Sequence, residues 1–248
     1  MILLREGRLD IASVGDSRAV LGSTRSLENP PAFPRPLRGE AKTHIESIQR
    51  KRVITIEFPL YPVQLTKDQK PEDPEELVRI FKAGGRVQQL MDEQGRKIGP
   101  YRVWKPNTNG PGIAMSRSIG DTIGSDLGVI AEPIITQCSL EWGTDLFMVI
   151  ASDGVWDVME NSEVVRFVER YRSHCVRGER TGGSGFPVNC SNATIAQLLC
   201  EEARTRWFCI LEQEEVFIDD ISCVIAEFQG GSKSGLERDA TSHDEDTV

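Results

Sequence analysis

Apolar and polar residues alternate near the start of the chain with the period of a β-strand. Residues 9–21 show this alternation on both sides of a Gly-Asp-Ser-Arg turn that contains Asp16. The pattern predicts two short strands joined by a turn. Apolar runs, several of them rich in β-branched residues, predict further strands at residues 53–58, 145–150, 216–218 and 221–228.

Three other segments space their apolar residues at the helical period. The clearest helix is predicted to begin after Asp73, because aspartate is a good N-cap and Pro74 suits the first helical position, and a Gly-Gly pair ends it. The other two helices are predicted from about Asn161 and over about residues 193–207. Segments with many Gly, Pro or polar residues predict loops at residues 24–42, 92–112 and 172–191.

The order of these elements favours an α+β fold. Strands and helices are mixed without the regular alternation of βαβ units, so a doubly wound parallel sheet is disfavoured. The length is consistent with one domain, which we expect over residues 1–229. Residues 230–248 are polar and acidic, and they are predicted to be a disordered tail.

The charge balance limits the choice of partners. The 248 residues contain 29 Lys and Arg against 38 Asp and Glu, which gives a formal net charge of −9 at pH 7. Nucleic acid and anionic membrane surfaces select basic proteins, so neither is expected as a partner. No apolar run approaches the ~18 residues of a membrane span.

The cysteines and the first residues bear on the compartment. The six cysteines are irregularly spaced and include no C-x-x-C pair, so we expect reduced thiols. The opening Met-Ile-Leu-Leu is followed at once by charged residues, which does not fit the core of a signal peptide. We therefore expect a cytoplasmic protein, with a nuclear location left open as the alternative.

Aspartates stand at three points where an apolar strand breaks. Asp16 lies in the turn between the first two predicted strands, Asp153 follows the strand at 145–150, and Asp219 with Asp220 separates the last two strands. A carboxylate beside a core strand is costly unless something satisfies it. Ordinary turn chemistry can explain any one of these residues. Three repeats of the pattern favour carboxylates that converge on a ligand.

The type of ligand follows from the neighbouring residues. The three histidines, His44, His174 and His243, are remote in sequence from these aspartates, and no cysteine is adjacent to them, so a zinc site is disfavoured. An all-oxygen site fits Mg²⁺ or Mn²⁺. Such an ion activates water at neutral pH, which suits hydrolysis of a phosphate ester.

At these residues the sequence resembles the metal-dependent Ser/Thr protein phosphatases of type 2C. Six motifs follow one another in the order found in that family, and departures from its usual residues include Gln69 in place of His and Asp220 in place of Asn. The motifs are Val14-Gly-Asp-Ser-Arg-Ala-Val-Leu21, Leu65-Thr-Lys-Asp-Gln-Lys-Pro71, Glu76 to Ile80, Ala83 to Val87, Gly112-Ile-Ala-Met-Ser-Arg-Ser-Ile-Gly-Asp121, Ala151-Ser-Asp-Gly-Val-Trp-Asp157 and Asp219-Asp-Ile-Ser222, the third and fourth of these forming one helix-and-stop motif.

The resemblance implies a fold and a set of metal ligands. The fold would be a four-layer α-β-β-α sandwich of two antiparallel sheets flanked by helices. Two catalytic Mg²⁺ or Mn²⁺ ions are implied, with a third, weaker one. Asp153 and Asp219 would bind a catalytic ion directly, and Asp16 and Asp157 would lie around the weaker ion. Asp121 and Gly154 are expected to support these ligands.

Part of the family pattern does not occur in this sequence. The family has an upstream segment with a phosphate-binding Arg, followed by an Asp-Gly-His-Gly motif whose Asp bridges both metals, and no Asp-Gly-His occurs here. We therefore expect the chain to be the C-terminal portion of the catalytic domain, without its N-terminal strands. Residues 27–62 are predicted to be an inserted excursion, and residues 71–112 match a flap-like segment beside the site.

Two functions remain open at this point. The first is hydrolysis of phosphoserine and phosphothreonine on phosphoprotein substrates in signalling, by metal-activated water, in a protein that is monomeric if its domain is complete. The second is a catalytically inactive, phosphatase-like binding or regulatory module, for which the missing bridging Asp is the argument.

Overall fold

The computed structural model describes residues 1–25, 60–177, 194–211 and 218–228. Its strands are β1 (Ile2–Arg5), β2 (Arg8–Ser13), β3 (Arg18–Ser23), β4 (Tyr61–Gln64), β5 (Arg86–Met91), β6 (Lys97–Trp104), β7 (Pro111–Ile113), β8 (Ile134–Ser139), β9 (Asp145–Ala151) and β10 (Cys223–Glu227). Its helices are α1 (Pro74–Lys82), α2 (Thr122–Ser125), α3 (Asp153–Trp156), α4 (Asn161–Arg177) and α5 (Ile195–Leu211).

The described strands form three sheets in which every pairing is antiparallel. The first sheet has the order β1-β2-β8, the second β10-β9-β3-β4, and the third β5-β6-β7. Neighbours such as β3 and β9 are distant in sequence, so the sheets are assembled by long-range pairing. The α+β prediction is confirmed, and the doubly wound alternative is excluded for the described residues.

Two hydrophobic cores lie on opposite faces of the second sheet. One core joins the first and second sheets through residues that include Leu9, Ile11, Leu21 and Met148. The other packs the second sheet against α3, α4 and α5, and its fully buried side chains include Phe147 and Trp156. Burial of each large apolar side chain contributes about 1.5–3 kcal/mol. Because both cores bury side chains of the second sheet, that sheet is the centre of the fold.

The outer face of the first sheet is open in the described part of the chain. Leu3 is opposite Asp10 and Ile135 is opposite Ala12, and cross-strand partners share a face. Leu3 and Ile135 are both exposed on that outer face. Three layers of the predicted sandwich are therefore seen among the described residues: two sheets and one layer of helices.

Helix α1 begins and ends where the sequence predicts. The Asp73 side chain accepts a hydrogen bond from the backbone N–H of Glu75, and Pro74 is the first helical residue. Past the end of the helix, Gly84 has a φ of 85°, a conformation that glycine adopts without strain. Local capping chemistry is sufficient to define this element.

Two predicted loops are partly wrong. The segment 92–112 holds β6 and most of β7. Strand β6 forms by pairing with β5 and by burial of Val103 and Trp104 at its end, although Gly and Pro interrupt the pattern. Helix α4 continues to Arg177, beyond the predicted loop start at 172. The end of the predicted 27–62 excursion also differs, since Tyr61 and Pro62 pair with β3 as part of β4.

Several predictions fall outside the described residues. They are the strand at 53–58, the part of the excursion up to residue 59, residues 216–217 of a predicted strand, and the tail at 230–248. Among the helices of the described ranges, none has the length and apolar character needed to cross a membrane.

Candidate functional site

Three aspartates lie near strand ends at one end of the second sheet because of its strand register. Strand β9 lies between β3 and β10, and Ala151 at its end is opposite both Arg18 and Cys223. Asp16 comes two residues before Arg18, Asp153 two residues after Ala151, and Asp219 four residues before Cys223. Three carboxylates from distant parts of the chain are thus carried to the same edge.

The charges of these residues act on one another. Burial and the negative charges of Asp16, Asp219 and Asp157 raise the pKa of Asp153 to about 6, and Lys70 opposes this rise. Like charges disfavour ionisation when they are close together. The structure therefore places all four predicted metal-binding aspartates in one electrostatic neighbourhood centred on Asp153.

The kind of donor fits a divalent ion, but the described side chains do not come close enough together to hold one. Carboxylate oxygens are the ligands that Mg²⁺ and Mn²⁺ prefer, and the neighbourhood of Asp153 has an excess of negative charge. Within the four described ranges, no three His, Cys, Asp or Glu side chains come close enough together to hold a metal ion. The ligand roles of Asp153, Asp219, Asp16 and Asp157 therefore stay predictions.

Lys70 supplies a positive charge beside the aspartates. Its ammonium forms an ion pair with the Asp16 carboxylate, and both side chains are largely buried. Burial alone would lower the pKa of Lys70, but the charges of Asp16, Asp157 and Asp68 outweigh it and raise that pKa. Lys70 therefore stays charged at neutral pH.

Arg18 fixes the start of β3 directly after the Asp16 turn. Its Nε and Nη2 donate to the two carboxylate oxygens of Asp68, at 3.0 and 2.5 Å, and its Nη1 donates to Asn161 at 2.6 Å. The guanidinium also lies over the ring of Trp156, 5.2 Å from its centroid. This buried network connects β3 to the 65–71 loop and to α4.

Gln69 fixes the backbone of the Asp16 turn from the other side. Its side-chain Oε1 accepts from the N–H of Gly15 at 2.7 Å, and its Nε2 donates to the carbonyl of Ser13 at 2.9 Å. Its backbone N–H donates to the carbonyl of Gly15, and its own carbonyl accepts from Ser116. Asp16 is therefore carried on a turn with little freedom to move.

The loop that carries Asp219 and Asp220 is held beside Asp153 by the Ser152 side chain, which bonds to backbone groups of that loop. Ser152 Oγ donates to the carbonyl of Asp220 at 2.7 Å, and the N–H of Ser222 donates to that Oγ at 3.0 Å. Gly154 lies directly beneath, and its carbonyl accepts from the Trp207 indole N–H at 2.7 Å. Helix α5, which contains Trp207, is thus connected to the site.

A comparison with known families identifies the fold that carries these aspartates. The family model described as Protein phosphatase 2C matches residues 1–206. The chain belongs to the protein phosphatase 2C family. The resemblance seen in the sequence motifs is confirmed.

Similar proteins of the protein phosphatase 2C family occur in plants. Probable protein phosphatase 2C 12 of Oryza sativa subsp. japonica is 42% identical over 166 residues, which cover 66% of this chain and 34% of the relative. Probable protein phosphatase 2C 34 of Arabidopsis thaliana is 32% identical over 235 residues, covering 94% of this chain and 50% of the relative. The chain therefore spans between a third and a half of the length of these relatives.

Solved structures confirm the fold. A serine-threonine phosphatase 2C from Toxoplasma gondii superposes with a TM-score of 0.62 at 19% identity, covering 92% of this chain and 57% of that one. A C. elegans sex determining protein superposes with a TM-score of 0.54 at 21% identity, covering 90% of this chain and 37% of that one. At this level of identity the likeness concerns the protein phosphatase 2C fold alone.

The two residues predicted to support the ligands have different surroundings in this protein phosphatase 2C chain. The Asp121 carboxylate caps α2 by accepting from the N–H of Gly124 at 2.9 Å. Gly154, in contrast, touches the loop that carries Asp219. A supporting role at the site remains a prediction for both residues.

Sequence reasoning missed the roles of Asp68, Lys70, Gln69 and Asn161. The first three lie in the Leu65–Pro71 motif of the protein phosphatase 2C family, so the motif itself was the available signal. Their hydrogen-bond partners, Arg18, Asp16 and Ser13, lie 50 to 56 residues earlier in the sequence. No local pattern indicates contacts at that separation.

Replacing Gly154 by alanine is expected to destabilise the protein by about 1–3 kcal/mol, because a Cβ there would lie 2.5 Å from the carbonyl oxygen of Asp220. Denaturant unfolding measures the loss. Gly110→Ala is the control, since a Cβ at Gly110 meets nothing within 4 Å. Equal stability of the two variants would contradict the close approach of Gly154 to the Asp220 segment.

Proposed function

We propose that this chain takes part in hydrolysis of phosphoserine and phosphothreonine on proteins, as a portion of a protein phosphatase 2C catalytic domain. The observation that carries the proposal is that Asp16, Asp153 and Asp219 lie near strand ends at one end of the second sheet, and that Asp16, Asp219 and Asp157 act electrostatically on Asp153, in a chain of this family. Phosphoprotein substrates follow from the same proposal. Rigid strand ends suit a reaction that requires fixed ligand positions.

The proposed cofactor is Mg²⁺ or Mn²⁺. A bound ion of this kind supplies a water molecule acidic enough to act as a nucleophile at neutral pH. Asp153 and Asp219 would hold it with carboxylate oxygens. Ser152 holds the Asp220 carbonyl and the Ser222 N–H, so it sets the distance between the Asp153 and Asp219 segments.

The test is release of phosphate from a phosphothreonine peptide in the presence of Mn²⁺. Activity that EDTA removes, and that falls about 100-fold in Asp153→Asn, is the expected result, because a ligand matters at least as much as the groups that orient it. Asp126→Asn is the matched control, as it removes the same charge from an exposed position in α2's C-cap. Full activity of Asp153→Asn would refute the assignment.

A second candidate is a binding module without turnover. The ion pair between Lys70 and Asp16 favours it, because a carboxylate that already has a cationic partner is less available to a metal. The same assay separates the two functions. Folded wild-type protein that retains the phosphothreonine peptide and releases no phosphate supports the binding module.

A further inference from the structure

The strongest unassigned feature of the site is the buried ion pair on its Asp16 side. We propose that the Lys70 ammonium, rather than a divalent ion, is the resident cation at Asp16, and that it lowers the affinity of the whole aspartate cluster for Mg²⁺ or Mn²⁺. The inference rests on the proposed function only in taking these as the ions that the cluster attracts.

The Lys70 ammonium is fixed in place and is not a mobile surface charge. Its side chain is 19% exposed and that of its partner Asp16 is 9% exposed. The preceding residue, Gln69, is 1% exposed and makes hydrogen bonds to both sides of the Asp16 turn. The backbone of residues 69–70 and the turn therefore move together, which keeps the ammonium against the carboxylate.

The charge of Lys70 reaches the other members of the cluster. It interacts electrostatically with Asp157 and Asp68 as well as with Asp16, and it counteracts the like charges around Asp153. Asp68 already has a bidentate partner in Arg18. The positive charge of Lys70 is thus directed at the three proposed metal-binding residues, Asp16, Asp153 and Asp157.

A divalent ion at this cluster meets two effects of Lys70. It must share Asp16 with a cation that is already paired to it, and it is repelled by a like charge in a partly desolvated site. Removing the charge while keeping a hydrogen-bond donor should therefore strengthen metal binding. If Lys70 only positioned Asp16 as a metal ligand, removing its charge would weaken metal binding instead.

Mn²⁺ titration by calorimetry, with the whole chain and no phosphopeptide, tests the sign. Lys70→Gln keeps an amide that can donate to Asp16, and it is expected to bind Mn²⁺ about tenfold more tightly than wild type. Lys70→Arg keeps the charge and is expected to retain the wild-type affinity. The double variant Lys70→Gln with Asp16→Asn is expected to lose the gain.

The chain offers a closely matched control in the same loop. Lys67 is also 19% exposed, and it pairs with Asp73, whose side chain is 10% exposed. Lys67→Gln removes the same charge from an equally buried ion pair, in which the partner Asp73 is the N-cap of α1. It is expected to leave Mn²⁺ affinity unchanged.

Several results would overturn the proposal. They are unchanged or weaker Mn²⁺ binding in Lys70→Gln, an equal gain in Lys67→Gln, a gain that persists without the Asp16 carboxylate, and no Mn²⁺ binding by either wild type or Lys70→Gln. These outcomes do not depend on turnover, so they are separate from failure of the phosphatase assay.

A measurement on the unaltered protein covers the case in which Lys70→Gln does not fold. Carboxyl ¹³C shifts are followed during Mg²⁺ titration. We expect the Asp153 resonance to move at lower Mg²⁺ than the Asp16 resonance. Movement of both with one midpoint would contradict the assignment of Lys70 as the cation at Asp16.

Discussion

Replacing Glu76 by glutamine is expected to destabilise the protein by about 3–5 kcal/mol, one of the two largest losses that the structure predicts for a single substitution. Glu76 is 2% exposed and accepts hydrogen bonds from Ser116 at 2.6 Å and from Arg79 and Arg117 at 2.7 Å each. The neutral amide leaves two partly buried guanidinium groups without their shared counter-charge. Urea unfolding at pH 7 measures the loss, with the exposed neighbour in Glu75→Gln as the control.

The acid limb of stability gives an independent check on the same network. Burial works to raise the pKa of Glu76, but hydrogen bonds from Arg117, Arg79 and Ser116 outweigh it and lower the pKa from 4.5 to about 2. A carboxyl group whose pKa is lower in the folded than in the unfolded protein stabilises the fold at pH values above its unfolded pKa. That stabilisation is lost as the pH falls from 4.5 towards 2. Wild type is expected to lose about 3 kcal/mol over this range through Glu76, and Glu76→Gln is expected to lack this part of the pH dependence. Parallel acid-unfolding curves for the two proteins would show that the network is not formed.

Replacing Arg18 by methionine is expected to have an effect of similar size, about 3–5 kcal/mol. Methionine keeps much of the length of the side chain, but it leaves the Asp68 carboxylate, 10% exposed, without its bidentate partner. It also removes the donor to Asn161 and the cation above Trp156. Thermal or denaturant unfolding provides the measurement.

The control for Arg18 is an arginine in an exposed ion pair. Arg8 is 57% exposed and pairs with Asp10. Replacing it by methionine is expected to lower the free energy of unfolding by less than about 1 kcal/mol, because exposed ion pairs contribute little to stability. Equal losses for the two variants would indicate that Arg18 acts only as a surface charge. Restored stability in Arg18→Met with Asp68→Leu would support the account, since replacing both charges by apolar groups removes the unpaired carboxylate.

The positions of the aspartates could be predicted because a strand break is a local signal. Asp16, Asp153 and Asp219 each stand within four residues of an apolar strand, and the strands themselves are visible in the alternation of residue types. That these strands are neighbours in one sheet is set by long-range pairing, between β3 and β9 and between β9 and β10. The repeated strand breaks favoured convergence of the aspartates, and the family motifs gave that prediction its metal site.

The contacts that hold the site were beyond local reasoning for the same reason. The pair of Lys70 with Asp16 and the approach of Asp220 to Gly154 join segments 54 and 66 residues apart in the numbered sequence. Strand β6 was missed for a different reason, since Gly99 and Pro100 interrupt a strand that its pairing with β5 stabilises. Tertiary pairing overrides local propensity there.

The strand register also separates two ends of β3. Asp16 precedes Arg18 at one end, whereas the chain leaves after Ser23 at the other end and re-enters the sheet at Tyr61, opposite Ser23. These ends are about 17 Å apart at 3.4 Å per residue. The connection between Arg25 and Leu60 can therefore change in length or sequence during evolution without changing the spacing of Asp16, Asp153 and Asp219, which the pairing of the strands sets. One end of β3 thus tolerates changes of the surface connection, and the other end keeps the aspartates in place.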